Sequence, residues 1–483
     1  MDFPIFHIDF IGNRMLIAVD AILHVIINHA FAVGALPVVA LLELSGIRRE
    51  DARWDKLAYR LLKIIFIITT TLGALTGVGI WFSASLVNPA AIGSLIRVFF
   101  WGWFVEWIVF VSEVSLIMAY FLSWQTAGRS PEAKLKHLRL GIFLAVFSWI
   151  TMAIIVAILG FMMDPGNWVT ERTLMSGLFN PMYLPQLAFR TTLAMVMGGM
   201  TMICLIYLFT RHDLAFRTMV LRVISNWSGA WMLGLIVASI WYYQVIPNHM
   251  LANIPVAVTT QEYVSWNGRL KLLLIVGLFY VGRVLWLSVK RPGQVHGAKY
   301  LVSVLLLFAM LGQFERVREF IRKPFIIGNY MYANGIRVAD YPLLQRDGIL
   351  QHATYAGIRE VTADNQISAG REVFEQTCTR CHTVNGVNSI RGQLKKMYGG
   401  KPWKSEVIAA YIENMHRARY FMPPFPGNKA ELDALAIYLA SLQKRAAAFN
   451  GAQINGIPKP DKISAATVYG TLPNLSITNG EHE

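Results

Sequence analysis

The chain has 483 residues, of which 55% are hydrophobic and 15% charged, a balance too apolar for an ordinary soluble protein. The net charge of +15 would suit a nucleic-acid binder. The basic residues sit in short loops between long apolar runs, however, so topology explains them and nucleic acid is excluded as a partner.

Runs of about 20 apolar residues have the length that crosses a bilayer as helix. Such runs occupy residues 14–43, 60–86, 98–124, 139–162, 186–210, 219–245, 270–289 and 299–315. The sequence therefore predicts an all-α, polytopic membrane helix bundle of about eight spans, followed by a small all-α domain. The first run is too long for a cleavable signal and has no small-residue cleavage site behind it, so it is expected to act as its own insertion signal. Basic residues cluster in alternate loops: Arg48, Arg49, Arg53, Lys56 and Arg60; Arg129, Lys134, Lys136 and Arg139; Arg211, Arg217 and Arg222; Lys290, Arg291 and Lys299. Loops 87–97, 163–185 and 246–271 are poor in Lys and Arg. The expected placement is the bacterial cytoplasmic (inner) membrane, multi-pass, with both termini on the periplasmic side.

Ionisable residues at membrane depth are costly and mark candidate sites. His24 and His29 lie in the first run, Glu106 and Glu113 in the third and Arg190 early in the fifth. At about 1.5 Å per residue, His24 lies roughly 15 Å and Glu106 roughly 12 Å from the outer surface, so the two are expected to share a plane. Glu113 is two turns deeper on nearly the same face, which suits a proton path. For His29 the expected role is structural, hydrogen-bonded to a neighbouring helix. The aromatics Trp101, Trp103, Trp107 and Phe110 read as core, interface or haem wall.

Residues 325–365 read as a polar connector, 366–445 as a compact soluble domain and 446–483 as an extended tail rich in Ala, Asn, Gly, Pro and Ser. Within the soluble domain, Cys378-Thr379-Arg380-Cys381-His382 has the C-x-x-C-H spacing that links two thioethers to a haem and puts the next histidine under the iron. Zinc would need two further ligands, and no second Cys pair exists; Cys204 lies in an apolar run and reads as a small core residue. Residues 370–377 are predicted to lead as a helix into the motif. Residues 429–442 form an amphipathic helix with Leu432, Leu435, Tyr438 and Leu439 on its apolar side. Between them stands Met422-Pro423-Pro424-Phe425. A thioether opposite histidine raises the potential and favours electron transfer, so Met422 is the expected sixth ligand; Met415, its competitor, falls in a predicted helix. The domain resembles small class I cytochromes c over some 80 residues, implying covalent haem c.

The first 324 residues resemble subunit I of the cytochrome bd oxidase family. The likeness is carried by His24 ahead of Leu44-Ser45-Gly46, by Gly73-Ala74-Leu75-Thr76-Gly77, by the pair Glu106 and Glu113, and by Glu319-Phe320-Ile321-Arg322-Lys323-Pro324-Phe325. The last segment is similar to the family's E-x-G-R-x-P-W signature, with Ile321 in place of its Gly and Phe325 in place of its Trp. The resemblance implies one or two high-spin haems of b or d type. His24 would ligate one and Glu319 the other; Glu106 would belong to the high-spin site, Glu113 would deliver protons and Arg322 would lie near propionates. It also implies a second membrane subunit of the bd type.

Three departures accompany the likeness. Arg190 and Ile275 align with the histidine and methionine that hold the family's low-spin haem b, and neither is an ordinary iron ligand. Residues 246–269 are too short to hold the family's quinol-binding segment. The cytochrome domain replaces the ninth helix. The combined reading is a terminal oxidase-like subunit fed through its own haem c by a periplasmic cytochrome c or other redox donor, with O2 or NO as acceptor. The alternatives are an electron-conducting or anchoring subunit without its own gas-reducing site, and a quinol:cytochrome c oxidoreductase. Arg190, buried at that depth, needs an anionic partner, for which a haem propionate is one candidate.

Overall fold

Eight long helices cross the apolar layer, as the hydropathy pattern predicts. In this computed structural model, which describes residues 3–258 and 267–451, they are α1 (Asn13–Arg49), α2 (Ala52–Val87), α3 (Phe100–Leu122), α4 (Pro131–Met163), α5 (Tyr183–Phe209), α6 (Leu214–Val245), α7 (Asn267–Lys290) and α8 (Gly297–Ile321). Their sequences carry few charges through the middle, and helix lets backbone polar groups pair within the segment, as an apolar layer demands. Helix ends are set by local chemistry: Asp51 accepts from Arg53 N, Ser130 from Ala133 N and Asp213 from Phe216 N at three N-termini. The eighth span runs to Ile321, past the end of its apolar run, and so carries Glu315 and Glu319 into its last turns.

Helix α5 is central: 72% of its apolar stretch is buried, against 11% for the peripheral α3. Helices α1 and α5 cross at backbone contact. A Cβ on Gly34 would lie 2.0 Å from the Ala194 carbonyl oxygen, and one on Gly198 would lie 2.1 Å from the Gly34 carbonyl carbon. Glycine at both positions is what permits this approach. Just before the crossing α1 opens into a π-helical turn, Asn28–Val33, and α2 does the same at Thr69–Gly73. Such turns displace side chains from regular helical register and recur at functional positions.

Beyond α8 a short hairpin, β1 (Phe325–Ile327) and β2 (Met331–Tyr332), rests on the end of α4, where Gly328 N donates to Met162 O. The soluble domain has four helices: α9 (Gln366–Thr377), α10 (Ile390–Tyr398), α11 (Ser405–Ala418) and α12 (Lys429–Gly451). Leu432, Leu435, Tyr438 and Leu439 are buried on α12, the face the periodicity indicates. Helices α9 and α12 cross where Gly370 meets the Ala434 carbonyl. Part of the segment read as a connector contributes to this domain's core. Ile349, Leu350, Ala353 and Ala356 are buried in it, and Glu431 accepts from Ile349 N and Leu350 N at 2.8 Å. Helix α12 continues through the first residues of the expected tail; residues 452–483 lie outside the described residues, as do 259–266 of the short link before α7.

Because backbone atoms, not flexible side chains, would meet the added methyl, Gly198→Ala is expected to lower the thermal midpoint of the detergent-solubilised protein clearly, by at least the about 1–3 kcal/mol typical of overpacking. Gly93→Ala, where nothing lies within 4 Å, is expected to leave it unchanged. Circular dichroism melting compares the two.

Candidate functional site

The soluble domain presents its histidine in the form that iron requires. After α9 the chain makes a tight turn, with Cys381 N and His382 N both donating to the Cys378 carbonyl, at 3.0 and 2.9 Å. This turn sets the two thiols and the imidazole on one local surface. His382 Nδ1 lies 3.1 Å from the Asn388 carbonyl. A carbonyl only accepts, so Nδ1 carries the proton and Nε2 keeps its lone pair. Burial holds the His382 pKa below the ordinary value, which keeps the ring neutral. Burial also pushes the Cys378 thiol up to about 11.

Met422 is anchored from several sides. Its own N–H donates to Arg419 O at 2.8 Å, and its carbonyl accepts from His416 Nδ1 at 2.6 Å. The next loop residue but one, Pro424, has its carbonyl held by Tyr341 OH at 3.2 Å. Met415 lies within α11. A neutral histidine, a pinned thioether and two thiols on one turn form a donor set that fits a covalent haem c.

In the membrane domain His24 shows the same logic. Thr76 Oγ1 donates to Leu72 O at 2.7 Å, so it accepts from His24 Nδ1 at 3.1 Å and Nε2 is left free for a metal. Gly77 lies under the ring; a Cβ there would come within 3.1 Å of His24 Cε1. Glu113 accepts from Thr151 of α4 at 3.0 Å, and Glu106 is half-buried seven residues earlier on the same face. Trp103 packs edge-on against Trp81, while Trp101, Trp107 and Phe110 are exposed on the outside of α3.

The end of α8 beneath the soluble domain is dense in charge. Glu315 pairs with Arg190 of α5 at 2.6 Å and with Arg318 at 2.9 Å. Glu319 is bonded by Arg322, and Lys323 Nζ stands 3.5 Å from its other oxygen. Arg14 is close enough to act on Glu319 as well. Five cations (Arg14, Arg190, Arg318, Arg322 and Lys323) thus face two carboxylates. The N–H donors Arg190 Nε, Arg318 Nη1 and Arg322 Nε are buried with no hydrogen-bond partner. Surplus buried cations and orphaned donors are what the carboxylates of a haem would satisfy.

The structure supplies an anionic partner of Arg190 from the chain itself, Glu315. Ile275, aligned with the family's methionine, is 67% exposed on α7. The structure corrects one further expectation. His29, expected to bond a neighbouring helix, is buried in the π-helical turn with both ring nitrogens lacking a partner of normal geometry; the Val25 carbonyl of its own helix is beside it. Sequence reading missed a cluster at the opposite end of the bundle. There Tyr120 OH donates to Glu43 at 2.6 Å, His137 Nδ1 meets the same carboxylate at 2.6 Å and Lys134 at 2.8 Å. His137 Nε2 faces the Tyr120 carbonyl at 2.9 Å, so that nitrogen is a donor. Glu43 stands at the very end of an apolar run, the one signal that marked it.

Comparisons with known proteins agree with these two regions. Residues 365–439 match the family described as cytochrome C oxidase, cbb3-type, subunit III. No curated protein matches the chain. Among solved structures, the bd oxidase from Geobacillus thermodenitrificans superposes with a TM-score of 0.54 at 15% identity, over 67% of this chain and 90% of that one. At that identity the likeness is one of fold. The chain is therefore a multi-pass membrane protein with a bd oxidase-like fold and a cytochrome c domain, and its class is haem electron transfer.

Two outcomes are expected from these contacts. Glu315→Ala leaves two buried guanidinium groups without their carboxylate, and should destabilise the membrane domain by about 3–5 kcal/mol, read as an earlier thermal transition with haem c retained. Met422→Ala should keep the covalent haem on denaturing gels and lower its midpoint potential, because water or a weaker donor replaces the thioether. Met415→Ala should leave the redox titration unchanged.

Proposed function

We propose that the chain is the haem subunit of a bd-like respiratory oxidase in the bacterial inner membrane, with its cytochrome domain on the periplasmic side. It takes electrons through its own haem c and passes them to one or two high-spin haems of b or d type, where O2, or NO, is reduced. The observation that carries this reading is the end of α8. A half-buried carboxylate, Glu319, and a surplus of cations lie directly under the cytochrome domain.

Each group in the chain has a part in this scheme. His382 and Met422 hold the haem c iron, and Cys378 and Cys381 bind its vinyl groups. His24 offers Nε2 to a membrane haem, with Thr76 fixing the ring. Glu319 offers an anionic oxygen, a hard donor that favours ferric iron and leaves the opposite face open. Arg322 balances carboxylate or propionate charge. Glu113, held by Thr151, and Glu106 bring protons along one face of α3. That helix is peripheral and exposes Trp101, Phe104, Trp107 and Phe110, an apolar surface suited to a second membrane subunit. The haem supplies electron storage and gas binding; the protein supplies ligands, protons and exclusion of water.

Arg190 bears on the missing low-spin haem. Its guanidinium is committed to Glu315, within an ion triad that fills the space between α5 and α8. The reading is therefore of a chain without that haem and without a quinol entry point, with the cytochrome domain as the replacement electron source. One observation favours the second reading, an electron-conducting subunit with no gas site: Glu319 is already engaged by Arg322.

Carbon monoxide difference spectra and pyridine haemochromes separate the two. Glu319→Gln is expected to lose one membrane haem, or its carbon monoxide response, while haem c stays at full occupancy. Full haem content with an unaltered carbon monoxide spectrum in this variant would remove Glu319 as a ligand. Wild-type protein whose haems all ignore carbon monoxide would favour the conducting subunit.

A further inference from the structure

The cytochrome domain is fastened to the membrane domain at several points. Asp9, in the segment before α1, accepts from Val384 N at 2.5 Å and from Asn385 N at 3.2 Å, in the loop that follows the haem motif. Val387 N donates to Phe10 O, and Gly386 lies so close to the Asp9 carbonyl that a Cβ would fall 2.0 Å from it. On the other side of the motif, Tyr420 OH donates to His249 O at 2.7 Å, beyond the end of α6. The haem c loop and the Met422 loop are therefore both tied to the same face of the bundle.

Between these ties the two candidate iron ligands come together through their immediate neighbours in sequence. Phe421 precedes Met422, and Phe320 follows Glu319. Their rings stand 5.4 Å apart at 47°, within one apolar cluster. The guanidinium of Arg14 lies over the Phe320 ring at 5.3 Å, and its charge also reaches His382. Lys323, 3.5 Å from Glu319, is close enough to act on Cys381.

We infer that the Phe421–Phe320 ring contact is the electron bridge from the cytochrome c domain to the membrane site at Glu319. The inference rests on the function proposed above and names the route within it. Under that reading His382 and Met422 would hold the donor iron and Glu319 a ferric acceptor, and one electron would pass between them with no bond formed or broken. Electron transfer falls steeply with the width of empty or water-filled gaps. Packed rings between adjacent ligands shorten that gap to one van der Waals contact, and Phe320 is buried. The fastened interface makes the transfer intramolecular, so it needs no diffusional encounter. Phe320 and Phe421 are positioning residues for this step.

The test uses the full chain in its mixed-valence, carbon monoxide-bound state. Photolysis of the ligand lowers the potential of the membrane haem and sends an electron back to haem c, followed at the haem c α band. Phe320→Leu and Phe421→Leu should each slow this phase several-fold, and the double variant should be little slower than the worse single one, since both act on one step. Haem content, both midpoint potentials and the carbon monoxide spectrum should stay as in the wild type. Phe421→Tyr should restore the rate. Phe314→Leu, whose ring packs on Phe189 at 4.7 Å, should not change it. Unaltered rates in both Leu variants overturn the bridge; if Phe320→Leu does not accumulate, an unaltered rate in the half-exposed Phe421→Leu overturns it alone. If wild-type protein shows no photolabile haem, the proposed function itself fails. A wild-type electron phase that ignores Phe320 and Phe421 removes only the bridge.

Discussion

A carboxylate persists among membrane helices only where cations surround it, and the end of α8 is organised by that rule. Glu315 and Glu319 are four residues apart, one turn of helix, and so face the same region. Glu315 draws Arg190 out of α5 and Arg318 from its own helix; Glu319 draws Arg322 and Lys323. These pairs bind α5 to α8, and α5 is the helix around which the bundle packs. The carbonyls that end α8 are satisfied from outside, by Asn253 Nδ2 on Ile321 O and Lys323 O at 2.9 and 2.8 Å. The turn that carries Phe320 is thereby held at a fixed height beneath the cytochrome domain.

The same rule explains the contrast between the two carboxylates. Glu315 has both oxygens committed to guanidinium groups at good geometry and is a structural anion. Glu319 is shared between a guanidinium and a more distant ammonium, and its side chain is 28% exposed against 9% for Glu315. An oxygen held by a lysine at 3.5 Å is far easier to redirect to a metal than one held by arginine at 2.6 Å.

What the sequence shows depends on range. The spans, the C-x-x-C-H motif and the apolar face of α12 are local patterns, and local pattern survives folding. The prolines after Met422 and its place between two helices are local as well. The partner of Arg190 is not, because Glu315 lies 125 residues away and pairing across a bundle leaves no periodic trace. Asp9 reaches 375 residues along the chain to Val384, and nothing in the residues before α1 distinguishes a clasp from a loose end. His29, which lacks a neighbour-helix partner, sits inside the π-helical turn of α1, where side chains leave regular helical register.

These arrangements bear on one another. The Arg190–Glu315–Arg318 triad ties α5 to α8 with fixed charge. The cytochrome domain is clasped at Asp9 and at Tyr420, its Met422 loop is held by His416 and Tyr341, and Phe421, beside Met422, touches Phe320, beside Glu319. The clasp matters energetically because a tethered but undocked domain would lose orientational freedom at every electron transfer, whereas here that ordering is part of the folded state. The clasped cytochrome domain and the cation-rich end of α8 thus meet at one place, the contact of Phe421 with Phe320.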